Sequence, residues 1–105
     1  HGGIAQGAGQ ALMEDIHFDA SGQLVTASFM DYAMPHAHDL CGMEVESNPV
    51  PTKTNPLGVK GAGEAGCVGA LPAVANALVD ALSEFGVKHI EMPATPERIW
   101  RAMRG

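Results

Sequence analysis

At 105 residues, 46% of them hydrophobic, the chain is sized for one small domain and has no room for a second. Six Lys and Arg against twelve Asp and Glu leave a net charge of −6, which excludes the clustered cations that a nucleic-acid partner needs. No apolar run approaches the roughly 20 residues that span a bilayer and no basic-then-apolar leader opens the chain, so it reads as unsecreted, without a membrane span and cytoplasmic.

The chain begins His1-Gly2-Gly3, with no methionine, and runs at once into helix-like sequence, as expected of an excised C-terminal portion of a longer polypeptide. From Ile4 to Glu14, the apolar residues Ile4, Ala8, Ala11 and Leu12 recur at spacings of three and four and predict a short helix. Gly7 and Gly9 inside it point to a close neighbour of its backbone, such as a ligand. Ile16-His17-Phe18 and Gln23 to Tyr32 flank the turn-forming Asp19-Ala20-Ser21-Gly22 and predict a hairpin, with Val25, Ala27 and Phe29 on one face. Pro35 closes that strand, and Met43 to Ser47 gives another short alternating stretch. Asn48 to Gly58 contains Pro49, Pro51 and Pro56 and reads as a rigid irregular loop. Leu71, Val74, Ala75, Leu78, Leu82 and Phe85 mark the apolar face of a long helix, with Pro72 suited to its first turn and Gly86 to its end. A strand over Val87 to Glu91 is predicted next. A helix through Met103 then closes the chain, introduced by Thr95 as cap, Pro96 and Glu97. The fold class expected is α+β: a small antiparallel sheet, a long helix after a Gly-rich loop, and a short C-terminal helix, all in one unit over 1–105. Arg98, Arg101 and Arg104 recur at helical spacing and read as a solvated face.

The chemistry concentrates in Gly58-Val59-Lys60-Gly61-Ala62-Gly63-Glu64-Ala65-Gly66, which sets one carboxylate among four glycines ahead of the long helix. Gly61, Gly63 and Gly66 permit backbone angles closed to other residues and let the main chain approach a ligand, leaving Glu64 as the functional side chain. Apolar and glycine neighbours, with Lys60 as the one nearby cation, are expected to bury it in a dry pocket as an active-site base. The run also matches G-x-G-x-x-G, but a dinucleotide fold needs a buried strand directly before the first glycine, where this chain has prolines. A Walker loop is excluded because no Gly-Lys-Ser/Thr follows. His36-x-His38-x-x-Cys41 could ligate a metal but reads as a polar surface turn, so no metal ligand is assigned from it. His1, His17 and His89 stand isolated, and Cys41 and Cys67 read as free thiols with no adjacent histidine to activate them.

Three segments, in order and at their spacing, resemble the C-terminal end of the molybdenum-cofactor-binding large subunit of the xanthine dehydrogenase and aldehyde oxidase family, most closely the bacterial carbon monoxide dehydrogenase-type subunits. They are Gly2-Gly3-Ile4-Ala5-Gln6-Gly7-Ala8-Gly9-Gln10-Ala11-Leu12-Met13-Glu14, then Phe29-Met30-Asp31-Tyr32-Ala33-Met34-Pro35, then Asn55-Pro56-Leu57-Gly58-Val59-Lys60-Gly61-Ala62-Gly63-Glu64-Ala65-Gly66. The resemblance implies that Glu64 is the general base beside molybdenum and that Gln6 lies against the pterin. It further implies that Gly61, Ala62, Gly63 and Gly66 line the same pocket. It implies a molybdenum–pterin cofactor, in the cytosine dinucleotide form, hydroxylating a carbon centre of a small-molecule substrate with water as oxygen source. Electrons would pass to iron–sulphur and FAD subunits. After Met34-Pro35 the family usually carries an arginine or other polar residues, where this chain has His36-Ala37-His38-Asp39-Leu40-Cys41. The isolated chain, lacking the rest of the large subunit, is expected to be inactive, to hold no cofactor and to self-associate through uncovered apolar faces. The alternatives are a stand-alone, non-catalytic binding or assembly module and, less favoured, a dinucleotide-binding fragment.

Overall fold

Two pairs of small residues, Gly3 with Gly7 and Gly66 with Ala70, organise the fold by letting two helices meet backbone to backbone. The computed structural model describes residues 1–40 and 42–105; Cys41, the third residue of the candidate metal pattern, lies outside the described residues. Helix α1 spans Gly2–Leu12, α2 spans Ala65–Ala81 with a short 3-10 turn at Ser83–Phe85 after it, and α3 spans Pro96–Ala102. A Cβ placed on Gly3 would stand 2.8 Å from the Gly66 Cα, and one on Gly7 would stand 2.8 Å from the Ala70 Cβ and 2.9 Å from the Leu71 backbone N. Both contact pairs advance by four residues in the same direction, so α1 and α2 run parallel with their N-termini at one end. The third tight glycine, Gly9, abuts Pro35, whose Cγ would lie 2.7 Å from an added Cβ. Within this chain, the close neighbours of the α1 backbone at its glycines are therefore α2 and Pro35.

This crossing also accounts for the early start of α2. The periodicity begins at Leu71, yet the helix starts at Ala65 and carries Pro72 inside it rather than in its first turn. An interior proline forfeits one backbone hydrogen bond. The first two turns are held by α1 despite the weak helix preference of Gly66 and Gly69. At the other end, Gly86 takes the left-handed conformation, φ 77°, as its position after the last turn suggests.

The antiparallel sheet expected from the sequence does not form: among the described residues there are three α-helices and no strand, and the only ladder element is an isolated antiparallel bridge between Phe18 and Leu24. The hairpin turn itself is real. Asp19 Oδ1 accepts from the backbone N–H of Ser21 (2.8 Å) and Gln23 (2.9 Å) and from the Ser21 hydroxyl (2.6 Å), with Gly22 at φ 82°. The strand after it fails because Ser28 and Asp31 capture the chain locally: Ser28 O accepts from Tyr32 N–H (2.9 Å) and Ser28 Oγ donates to Asp31 Oδ2 (2.6 Å). Met43 to Ser47 and Val87 to Glu91 have no paired neighbour here, and a strand is defined by its ladder rather than by its own sequence. The second of these segments instead borders a groove along α2, formed by Leu71, Ala75 and Val79 with Lys88 to Met92.

The C-terminal helix is tied to the end of α1. Ala94 N–H donates to Ala11 O (2.7 Å), and both residues are almost fully buried. The Arg98 guanidinium reaches Pro93 O (2.8 Å) and Asp15 Oδ2 (3.5 Å), so Arg98 is a tie between elements rather than part of a solvated face. The other two arginines are surface residues: Arg101 pairs with Glu97 (2.6 Å) and Arg104 lies 4.0 Å over the Trp100 ring. Thr95 caps α3 as predicted, its side chain accepting from Arg98 N–H.

The core assembled by these contacts is small: Ala11, Ala70, Leu82 and Ala94. Phe29 and Met30 are each 93% exposed and Leu57 83%. The accessible surface is 8164 Å2, against about 5,600 Å2 for a compact monomer of this mass. None of the described helices is long and apolar enough to cross a membrane.

Candidate functional site

The glycine run is delivered by a loop that closes on itself. Asn55 Oδ1 accepts from the N–H of Leu57 (3.1 Å) and Val59 (3.2 Å), its Nδ2 donates to Val59 O (3.0 Å), and Thr52 N–H donates to Gly58 O (3.0 Å). Gly58 sits at φ 66° with Pro51 against it. That conformation carries a steep penalty for any residue with a side chain. No strand precedes Gly61 among the described residues, which agrees with setting the dinucleotide pattern aside.

From this loop the chain enters Gly61-Ala62-Gly63 and reaches Glu64, the N-cap of α2, at φ −101° and ψ −8°. The Glu64 side chain makes no capping bond and is exposed. It lines an open cleft of about 410 Å3 together with Gly61, Gly63, Ala65 and Val68. A neighbouring cavity of about 730 Å3 shares Gly61 and Ala65 and is bordered by Pro49, Val50, Lys60 and Ala62. Four predicted residues, Gly61, Ala62, Gly63 and Glu64, thus converge at the N-terminus of α2.

The other two are reached through the helix crossing. Gly66 is in contact with Gly3, which gives it a packing role in this chain. Gln6 is exposed, one turn along α1 from Gly3, and so lies at the same end of the helix pair as Glu64. Two expectations are corrected. Gly61 and Gly63 are not needed for left-handed angles, since only Gly58 in the run has positive φ; a Cβ on either would meet nothing within 4 Å, so they leave backbone uncovered beside open space. Glu64 is not buried by this chain, whose own apolar residues do not enclose it; Val68 beside it is 66% exposed. Chemically, the arrangement offers an ionisable carboxylate at the rim of a cleft, beside backbone N–H groups of a first helical turn that no side chain caps.

Several polar contacts carry no signal at sequence level. The free Cys67 thiol stands 4.0 Å from Gln10 Oε1. Asp15 joins His17 Nε2 (3.0 Å) to Arg98, and His1 Nε2 lies 3.1 Å from Met43 O. His36 and His38 sit on an exposed turn together with Asp39, whose carboxyl is held below its ordinary value chiefly by the His36 backbone N–H, with both imidazoles contributing. Asp39 has no obvious sequence signature, because only the turn brings it back to both histidines.

The family model described as the molybdopterin cofactor-binding domain matches residues 1–41. The chain is 43% identical to the nicotine 6-hydroxylase large subunit of Paenarthrobacter nicotinovorans and 36% identical to the carbon monoxide dehydrogenase large chain of Hydrogenophaga pseudoflava. Each match takes in 99% of this chain and 13% of the relative. Among solved structures, Cu,Mo-CO dehydrogenase in its carbon monoxide reduced state superposes with a TM-score of 0.90 at 34% identity over 99% of this chain and 13% of that one. Quinoline 2-oxidoreductase from Pseudomonas putida 86 superposes at 0.88 with 42% identity over 98% of this chain and 13% of that one. By sequence and by fold, the chain belongs to the family of molybdenum-cofactor-binding large subunits typified by these enzymes, and it spans 13% of such a subunit.

Proposed function

We propose that this chain is the C-terminal part of a molybdenum hydroxylase large subunit, in which Glu64 serves as general base and Gln6 holds the pterin. The observation that carries the reading is Glu64 at the rim of an open cleft, preceded by two glycines, Gly61 and Gly63, whose backbone is uncovered, at the same end of the helix pair as Gln6. Such a cleft fits a large polar cofactor laid against main chain. Gly61, Ala62 and Gly63 would border it, Gln6 would offer both an amide donor and an acceptor, and the uncapped first turn of α2, including Gly66, would add N–H donors. The cofactor, in the cytosine dinucleotide form, supplies the redox chemistry when bound. Glu64 accepts the proton of the water-derived nucleophile as it attacks the substrate carbon, which requires the carboxylate to be ionised and within hydrogen-bond reach. Exclusion of water falls to the rest of the large subunit, since Glu64 is exposed here. The isolated chain is accordingly inactive, and the parent works in the cytoplasm with iron–sulphur and FAD subunits on a small-molecule substrate.

In the intact enzyme, Glu64→Gln is expected to lower turnover by about 100-fold or more with molybdenum content unchanged. Near-normal turnover removes Glu64 from the mechanism. Gln6→Ala is expected to lower pterin retention, read as pterin and molybdenum per subunit. Unaltered content and kinetics count against the assigned contact.

A further inference from the structure

The His36–Asp39 turn gathers three metal-ligating side chains in a part of the fold that the proposed cofactor site does not use. Asp39 N–H donates to His36 O (3.0 Å) and His36 N–H donates to Asp39 Oδ2 (2.7 Å), which closes the turn from both ends. The same carboxylate lies between the two imidazoles: its Oδ2 is 3.5 Å from His36 Nδ1 and its Oδ1 is 3.3 Å from His38 Nε2. The rings face each other with centroids 5.4 Å apart and an interplanar angle of 14°. One donor atom from each residue can be chosen so that all three lie within 4.8 Å of one another.

We propose that His36, His38 and Asp39 form a surface site for a late first-row divalent cation, zinc(II) or a close relative. Around tetrahedral zinc, with ligands at about 2.0–2.2 Å, neighbouring donor atoms stand about 3.3–3.5 Å apart. Each imidazole nitrogen already stands at that separation from one carboxylate oxygen, His36 from Oδ2 and His38 from Oδ1, so closing the set takes a turn of the carboxylate that brings one oxygen to both histidines, together with the approach of the two rings. Two imidazoles and one carboxylate favour zinc, copper or nickel over magnesium or calcium, which take mostly oxygen ligands. All three side chains are exposed in this chain, which leaves a remaining coordination position open to water. A chain of net charge −6 attracts cations toward it.

The site is tested in the full-length gene product that carries this chain, after dialysis against a chelator, by calorimetric titration with zinc chloride. The wild type is expected to take up about one more zinc ion per chain than the His36→Ala/His38→Ala double variant. Asp39→Asn, which can still accept the His36 N–H and so keeps the turn, is expected to weaken binding at least about tenfold, because removing even an outer-shell partner of a metal site costs that much. Identical titrations for wild type and double variant overturn the proposal. A second readout needs no variant: zinc should protect His36 and His38 from diethylpyrocarbonate, mapped by mass spectrometry. Equal modification with and without saturating zinc also overturns it. Magnesium at the same concentration should protect neither residue, and protection by magnesium would reject the assigned ligand class.

Discussion

Tyr32 and Glu14 show how one side-chain contact links distant parts of the chain and makes its stability depend on pH. The Tyr32 hydroxyl donates to Glu14 Oε2 at 2.6 Å, which joins the segment before Pro35 to the end of α1. That bond, followed by desolvation and by the charge of Glu14, raises the phenol pKa above its ordinary value of 10.0. A group whose pKa is raised in the folded state contributes stability that is complete below its unfolded value and disappears as pH rises through the folded value. Tyr32→Phe should therefore lower the thermal midpoint near neutral pH, with the gap from wild type narrowing above pH 10.0. A gap that is constant across that window would show that the lost hydroxyl does not act through this bond. Asp19 has the opposite sign. Its carboxyl is lowered from 3.8, first by the Ser21 hydroxyl and then by the Gln23 N–H, so its contribution is present above 3.8 and is lost as pH falls through the lower folded value. Asp19→Ala should speed amide exchange at Ser21 and Gln23, and unchanged exchange would mean that the turn holds without it.

At the scale of elements, the α1–α2 crossing decides where the site residues stand. A methyl group on Gly7 meets the Ala70 Cβ and the Leu71 backbone, neither of which can swing aside. Forced overpacking costs about 1–3 kcal/mol, more than most of the roughly 1 kcal/mol that alanine gains over glycine in a helix. Gly7→Ala is thus expected to destabilise the fold and, by parting the helices, to shift Gln6 relative to Glu64. Gly69 lies in the same α2 with nothing within 4 Å of its Cβ position. Gly69→Ala should stabilise by about 1 kcal/mol for helix preference alone. Denaturant unfolding of the two variants checks the contrast, and the same sign for both would contradict the close packing described for Gly7.

The whole molecule is under-buried for its length. Its radius of gyration is 17.4 Å, against about 13 Å for a compact domain of this size, and large apolar side chains such as Phe29, Met30, Leu57 and Val68 face outward. Patches of this kind mark surfaces that pack on something else. Expressed alone, the 105-residue chain should bind a hydrophobic dye and scatter light as assemblies larger than its 10.9 kDa monomer. A monomer that binds no dye would indicate that these segments fold back to cover their own apolar surface.

Residues whose structure depends on near neighbours in the chain were legible in advance: the Thr95 cap and Pro96 start of α3, the Gly86 terminus and the Asp19 turn. Each rests on hydrogen bonds or backbone angles that span a few residues, which the local sequence determines by itself. The tertiary structure alone decided the rest. Val87 to Glu91 has a strand-like sequence but forms no ladder, because a ladder needs a second chain segment at hydrogen-bonding distance. Gly61 and Gly66 look alike in the sequence, yet one borders open space and the other touches Gly3, since what surrounds a glycine is set by a helix more than fifty positions away. Burial of Glu64 belongs to the same class: a carboxylate is enclosed by whatever folds over it, and the residues near it in this chain leave it exposed.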